Sequence, residues 1–252
     1  TINITPTIDT PVVTAGATLS YTEDDPSENH KAVIDDTITI SDVDDTQLDS
    51  ATVTIISGFI SGDRLELTTQ NGISGSYDNS TGVLTIRGTA TVSEYQAALR
   101  TISYYSTSED PTITSNSRTV TWIVTDANSD GAGIGISSSV TSTITIIATN
   151  DTPVINIDNL SYTENSSEAI IDNTISVNDS DDSQLSGGTI TIISGFTSGD
   201  ILTLGYGWGV TGSYNSDTGV LTLSGTANLD SYANSMGTIT YYSISEDPTI
   251  TS

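Results

Sequence analysis

Apolar and polar residues alternate along most of the chain, in short runs rich in Thr, Val, Ile and Tyr that Gly, Asn, Asp and Ser interrupt. A period of two sends successive side chains to opposite faces of an extended strand. In the first half this pattern predicts strands over Thr37 to Ile40, Ala51 to Ile56, Leu65 to Thr68, Gly82 to Arg87, Thr101 to Tyr105, Thr119 to Thr125 and Ser142 to Ala148. Trp122, between Val120 and Val124, falls on the inward face of a late strand. Asp78-Asn79-Ser80-Thr81-Gly82 predicts a hairpin turn with Gly82 at positive φ. Only Val92 to Leu99 departs from the period of two. It predicts one or two helical turns that start at Ser93 and tuck Tyr95 and Leu99 inward.

The pattern occurs twice. Asp9-Thr10-Pro11 recurs as Asp151-Thr152-Pro153, and Tyr21-Thr22-Glu23 as Tyr162-Thr163-Glu164. Past a loop of unequal length the copies run in register, 137 residues apart. Ser41-Asp42-Val43-Asp44-Asp45 aligns with Asn178-Asp179-Ser180-Asp181-Asp182, Thr54 to Phe59 with Thr191 to Phe196, and Ser108-Glu109-Asp110-Pro111 with Ser245-Glu246-Asp247-Pro248. About seven strands in a repeat of roughly 140 residues predicts an all-β fold, an antiparallel β-sandwich of immunoglobulin-like type. The expected organisation is a last strand of a preceding repeat over residues 1–8, a first repeat over 9–150, and a second over 151–252 that lacks its last two strands. Between the copies, Pro153 fixes φ and disfavours helix at Thr152, so the connector reads as short and extended.

Charge sharpens the picture. There are 32 acidic residues against 5 basic ones, a net charge of −27. From Asp151 onward there are 13 acidic side chains and no Lys, Arg or His, so water, salt or bound cations must neutralise them. The same arithmetic excludes nucleic acid and anionic membranes as partners. Nothing in the sequence is apolar for long enough to insert into a membrane. Cysteine is absent, which removes disulfides, thiolate metal sites and cysteine nucleophiles together and leaves metal ions as the substitute staple. Halophilic adaptation or plain solubility is the competing explanation of the acidity. Against it, charged residues make up only 15% of the chain and the acids gather in short motifs.

Asp42-x-Asp44-Asp45 and Asp179-x-Asp181-Asp182 each end a predicted strand, where carboxylates at alternate positions can converge. A hard cation with six to eight oxygen ligands removes the repulsion between them. Together with Tyr-Thr-Glu, Val124-Thr125-Asp126 and Asn150-Asp151-x-Pro153, these motifs resemble cadherin-like repeats, and more particularly the Ig-like tandem extender modules of giant bacterial surface adhesins of the RTX-adhesin type. The resemblance spans the whole chain. It implies Ca²⁺ between successive modules, with Glu23, Asn150, Asp151, Asp179, Asp181 and Asp182 as ligands at the joint inside the chain. Asp9, Asp42, Asp44, Asp45 and Asp126 would serve the top of the first copy, and Glu164 would repeat the role of Glu23. Ile8 stands where the family pattern has Asn, and the Asp-x-Glu motif of animal cadherins is absent.

The resemblance further implies an extracellular, cell-surface spacer of a repetitive adhesin, stiffened by calcium, with neighbouring repeats as its partners. Catalysis is not expected. The single His30 and single Lys31 lie in one polar loop of one copy, and a carboxylate site repeated in every module reads as ionic rather than glycosidic. No small-molecule substrate is expected either. Two alternatives of other classes stand beside the spacer. One is a fibre or surface-layer subunit joined to copies of itself by strand addition. The other is a carbohydrate-binding module that presents Tyr206 and Trp208 of Gly205-Tyr206-Gly207-Trp208-Gly209 to a sugar face.

Overall fold

The computed structural model describes residues 2–3, 7–23 and 30–245. The chain divides into two compact units, Thr1–Thr149 and Asn150–Ser252. Of the expected leading strand at 1–8, residues 1 and 4–6 lie outside the described part, and so does the second copy's Glu246-Asp247-Pro248 motif.

Unit 1 comprises β1 (Val12–Thr14), β2 (Thr18–Thr22), β3 (Ala32–Val33), β4 (Thr39–Ser41), β5 (Gln47–Ser57), β6 (Asp63–Glu66), β7 (Ser74–Asp78), β8 (Val83–Thr91), α1 (Val92–Leu99), β9 (Ser103–Ser106), β10 (Ser117–Asp126) and β11 (Val140–Ile147). One sheet has the order β2-β11-β10-β5-β8-β7; facing it are β3-β9-β6 and the pair β1-β4. Val53, Leu84, Val120, Trp122 and Ile144 from the first layer and Ile34, Leu65 and Tyr104 from the second share one buried core. That is an immunoglobulin-like sandwich, all-β as the alternation predicts. The leading edge changes layers: β1 pairs antiparallel with β4, whereas β2 pairs parallel with β11. Four strands lie outside the seven expected, β1 and β2 at the leading edge and β3 and β7 further on. β3 and β4 flank a break at Ile34 to Ile38, and the β7–β8 hairpin extends the larger sheet beyond β5.

Strict alternation shows best in β10, which turns Arg118, Val120, Trp122, Val124 and Asp126 inward. The turn before β8 is as expected, with Gly82 at φ 72° and its N–H donating to the Asp78 carbonyl at 3.0 Å. The helix start is different. Thr91, not Ser93, is the N-cap. Its hydroxyl accepts the Glu94 N–H and the Glu94 carboxylate accepts the Thr91 N–H, so the Thr-x-x-Glu spacing outcompetes the serine two positions on. Tyr95, Ala98 and Leu99 then face the core.

Unit 2 repeats much of this plan with β12 (Val154–Asn156), β13 (Ala169–Ile170), β14 (Ser176–Asn178), β15 (Gln184–Thr191), β16 (Asp200–Leu204), β17 (Thr211–Asn215), β18 (Val220–Asn228), α2 (Leu229–Met236) and β19 (Ile239–Ser243). Its sheets are β12-β14, β13-β19-β16 and β15-β18-β17. Among the described residues it has no counterpart of β10 and β11.

Candidate functional site

Asp42 follows directly on β4, where the chain must turn towards β5. Its Oδ1 makes the turn by accepting the N–H groups of Asp44 (3.3 Å) and Asp45 (3.1 Å), a local bond that short acidic side chains are built to make. Asp44 Oδ2 accepts the N–H of Asp9 at 2.9 Å, which draws the start of the unit onto the loop. Asp42 Oδ2, Asp44 Oδ1 and Asp45 Oδ2 are left shielded from solvent without a donor. One ligand oxygen from each of the three lies within 4.8 Å of the others.

Unit 2 builds the same object. Asp179 Oδ1 accepts from Asp181 (3.3 Å) and Asp182 (3.0 Å), and Asp181 Oδ2 accepts the Asp151 N–H at 3.1 Å. Asp181 Oδ1 is shielded and unpartnered, and the three carboxylates again gather within 4.8 Å.

Acceptors that face acceptors repel. Burial, with Asp44 adding to it, holds Asp42 above the ordinary carboxylate range, while the Asp9 N–H holds Asp44 below it. In unit 2 the raised member is Asp181, pushed up by the Asp179 carboxylate and then by burial; the Asp182 N–H lowers Asp179. Each loop therefore favours one positive charge, a proton or a cation, between its leading carboxylates.

The other expected ligands are placed variously. Asp45 joins the group, but its Oδ1 also accepts the Ser129 N–H, the Ser129 hydroxyl (2.6 Å) and the Asp130 N–H (3.2 Å), which ties residues 129–130 to the acid loop. Asp9 and Asp151 enter through their N–H groups rather than their carboxylates. Asp126 is fully buried at the end of β10 and accepts from Asn128 (3.0 Å) and Gly135 (2.5 Å); the structure does not gather it with Asp42, Asp44 and Asp45. Glu23, in unit 1, accepts the Thr149 N–H at 3.0 Å. Asn150 donates to the Asp151 carbonyl. Glu164 is exposed and lies beside Asn165 Nδ2 (3.4 Å), outside the acid group of its unit. Tyr206 and Trp208 are exposed and pair edge-on, with interplanar angle 80°, so the two rings share no flat face.

Two buried carboxylates of unit 1, Asp35 and Asp63, went unread in the sequence. Asp35 accepts five donors: the N–H groups of Gly16, Ala17 and Thr37 and the hydroxyls of Thr37 and Ser142. Burial alone would raise it; those bonds outweigh burial and lower it to about 2. Asp63 meets Arg118 Nε at 2.7 Å, with both side chains fully buried. The signal was present, because Asp35-x-Thr37 recurs as Asp172-x-Thr174, and Ser61-Gly62-Asp63 as Ser198-Gly199-Asp200.

Asp35 carries a pH prediction. A depressed folded-state value stabilises above the unfolded value of about 4, and that stability is lost as pH falls towards about 2. Replacing Asp35 with Asn should lower stability at neutral pH and flatten the loss of stability between those limits. Urea midpoints measured across that range check it, and an unchanged acid slope would count against Asp35 as its source.

The fold and these loops define a class: an immunoglobulin-like β-sandwich repeat with an oxygen-lined acid cluster on the loop after its second-layer strand. No protein-family model matches the chain. A stretch of it is 37% identical over 107 residues to a halomucin of Haloquadratum walsbyi, covering 39% of this chain and 1% of that protein. The chain thus spans about 1% of the length of the curated relative it matches. Among solved structures it is similar to protocadherin gamma C5 EC1-3, at 11% identity and TM-score 0.33 over 88% of this chain and 58% of that one. It is also similar to protocadherin gamma B7 extracellular cadherin domains 1-4, at 13% identity and TM-score 0.25 over 87% and 42%.

Proposed function

We propose that this chain is a pair of cadherin-like repeats from an extracellular surface array, and that each acid loop takes one Ca²⁺. Its role is mechanical: a non-enzymatic spacer that becomes stiffer when the ions bind. The observation that carries this reading is the twice-built loop with shielded, donorless carboxylate oxygens. Ligand oxygens that all lie within 4.8 Å of one another are close enough to share one centre at the usual calcium–oxygen distance of about 2.3–2.6 Å. The stretch shared with a halomucin supports a surface location.

Stiffening follows from chain connectivity. Asp151 is hooked to Asp181 by its own N–H, so an ion on Asp179 and Asp181 restricts the torsions of residues 150–153. Small-angle scattering should give a longer, narrower distance distribution in Ca²⁺ than in chelator, and Asp181→Asn should keep the chelated profile in both. Identical profiles with and without Ca²⁺ would refute the spacer mechanism.

A further inference from the structure

The hairpin between β16 and β17 keeps the base of its unit 1 counterpart and changes the tip. Gly205-Tyr206-Gly207-Trp208-Gly209-Val210 stands 137 residues after Thr68-Thr69-Gln70-Asn71-Gly72-Ile73, with no change in length. The base docks in the same way: the Gly209 carbonyl packs against Gly225 as the Gly72 carbonyl packs against Gly88. In unit 1 the tip is a tight two-residue turn. Asn71 and Gly72 have φ 51° and 77°, and Gln70 and Ile73 exchange backbone bonds of 2.7 and 3.1 Å. In unit 2 the Gly209 N–H closes the turn instead, donating to the Gly207 carbonyl at 2.8 Å. That turn needs the glycine that replaces Gln70, because a Cβ at Gly207 would collide with the Val210 carbonyl oxygen.

The altered tip is anchored at the C-terminal end of α2. The Thr238 hydroxyl accepts the Tyr206 N–H at 2.9 Å; in unit 1 Thr101 makes a similar bond to Thr68, one position earlier in the hairpin, at 3.3 Å. The Trp208 N–H is accepted by Ser235 at 3.1 Å, a fully buried residue where unit 1 has Ala98. The backbone is thus fixed at both aromatic residues while their side chains stand in water, 63% exposed for Tyr206 and 42% for Trp208. Their rings lie 4.7 Å apart at 80° and form a corner. Tyr and Trp have few torsions to freeze, so such a corner loses little entropy when it binds.

This exposure belongs to the hairpin itself. The unit 1 hairpin leads into β7, at the far end of the sheet order from β2, β11 and β10. Thr69 and Asn71 are exposed there with all of those strands in place.

We propose that the tip of the β16–β17 hairpin binds one neutral pyranose residue of a soluble glycan chain, a ligand site carried on a module whose main role is mechanical. The C–H face of a pyranose can lie on one aromatic ring with the edge of the other alongside, and its rim of hydroxyls can reach the Tyr206 phenol. The residues that meet the tip backbone, Val210, Ser235 and Thr238, are uncharged and match a neutral ligand. A net charge of −27 disfavours an anionic glycan or lipid surface. Two rings at 80° cannot make the flat platform that a crystalline polysaccharide face requires. The site does not depend on calcium, because none of its residues belongs to the acid loops.

The test is an array of neutral and anionic oligosaccharides probed with the whole 252-residue chain, displayed in many copies on a labelled particle so that weak single contacts add up. Signal on neutral glycans is expected, equally in Ca²⁺ and in chelator. Trp208→Ala and Tyr206→Ala should each lower it by roughly fivefold or more, the weight of one stacked ring. Both changes are at exposed side chains, so the unfolding midpoint should stay where it was. Thr69→Ala, at the matching exposed position of unit 1, should leave the signal unchanged. No signal on any glycan, or a signal that both ring variants retain, would overturn the proposal, and a signal confined to anionic glycans would overturn the neutral assignment. A chain that light scattering shows to be dimeric, and that Trp208→Ala makes monomeric, would overturn it in favour of a second copy on the tip.

Discussion

Arg118→Ala should destabilise unit 1 by about 3–5 kcal/mol, the cost of leaving a partnered buried charge alone. Arg118 and Asp63 are both fully buried, and every guanidinium nitrogen donates: Nε to Asp63 and the terminal nitrogens to the carbonyls of Ser115 and Pro111 at 2.7 Å each. Removing it strands Asp63 between the Tyr104 hydroxyl and the Ile60 N–H. Burial, then the Asp63 charge, already pushes Tyr104 up, so its hydroxyl stays a donor and cannot replace the lost cation. Urea unfolding followed by Trp122 fluorescence in a Trp208→Phe background isolates unit 1. At a urea slope of about 2 kcal/mol/M, the midpoint should fall by roughly 1.5–2.5 M. A fall below about 0.5 M, worth no more than an exposed ion pair, would contradict the account.

Calcium should supply the second large effect. An ion that binds only the folded state stabilises it by mass action, about 2.7 kcal/mol per site at a hundredfold excess over the dissociation constant. For a unit the size of unit 1, that raises the unfolding midpoint by roughly 8 °C. The donorless oxygens of Asp42, Asp44 and Asp45 gain partners, and the cation offsets the burial and the Asp44 charge that together raise Asp42. Asp44→Asn should remove most of the shift in unit 1 and Asp181→Asn most of it in unit 2. Asp217→Asn should leave both unchanged, since Asp217 is an exposed residue of the turn before β18. Scanning calorimetry at fixed ionic strength reads all three, and a shift that monovalent salt reproduces would return the acidity to plain solubility.

Much of the fold was legible because alternation is a local signal. Trp122 fell inward as its neighbours Val120 and Val124 imply, and Tyr95 and Leu99 faced the core as the short helix predicts. The acid loops were legible because they repeat in both copies and repel unless something binds. What sequence spacing could not show was direction. Asp9 and Asp151 lie where carboxylate ligands were expected, yet they act on the loops through N–H groups, a choice fixed by backbone approach. Asp126 sits at the right end of its strand, but its carboxylate is held by the Asn128 and Gly135 N–H groups on a loop that closes back over it. The Asp63–Arg118 pair was hidden because its members lie 55 residues apart and only the folded sandwich joins them. Thr91 was passed over for Ser93 because one good capping residue masked a better box.

The most direct measurement of the central claim is isothermal titration of Ca²⁺ into the metal-free chain at fixed ionic strength. The account predicts saturable binding that loses one component in Asp44→Asn, the other in Asp181→Asn, and both in the double variant. Saturable binding that persists unchanged in the double variant, or no binding in the wild-type chain, would contradict it.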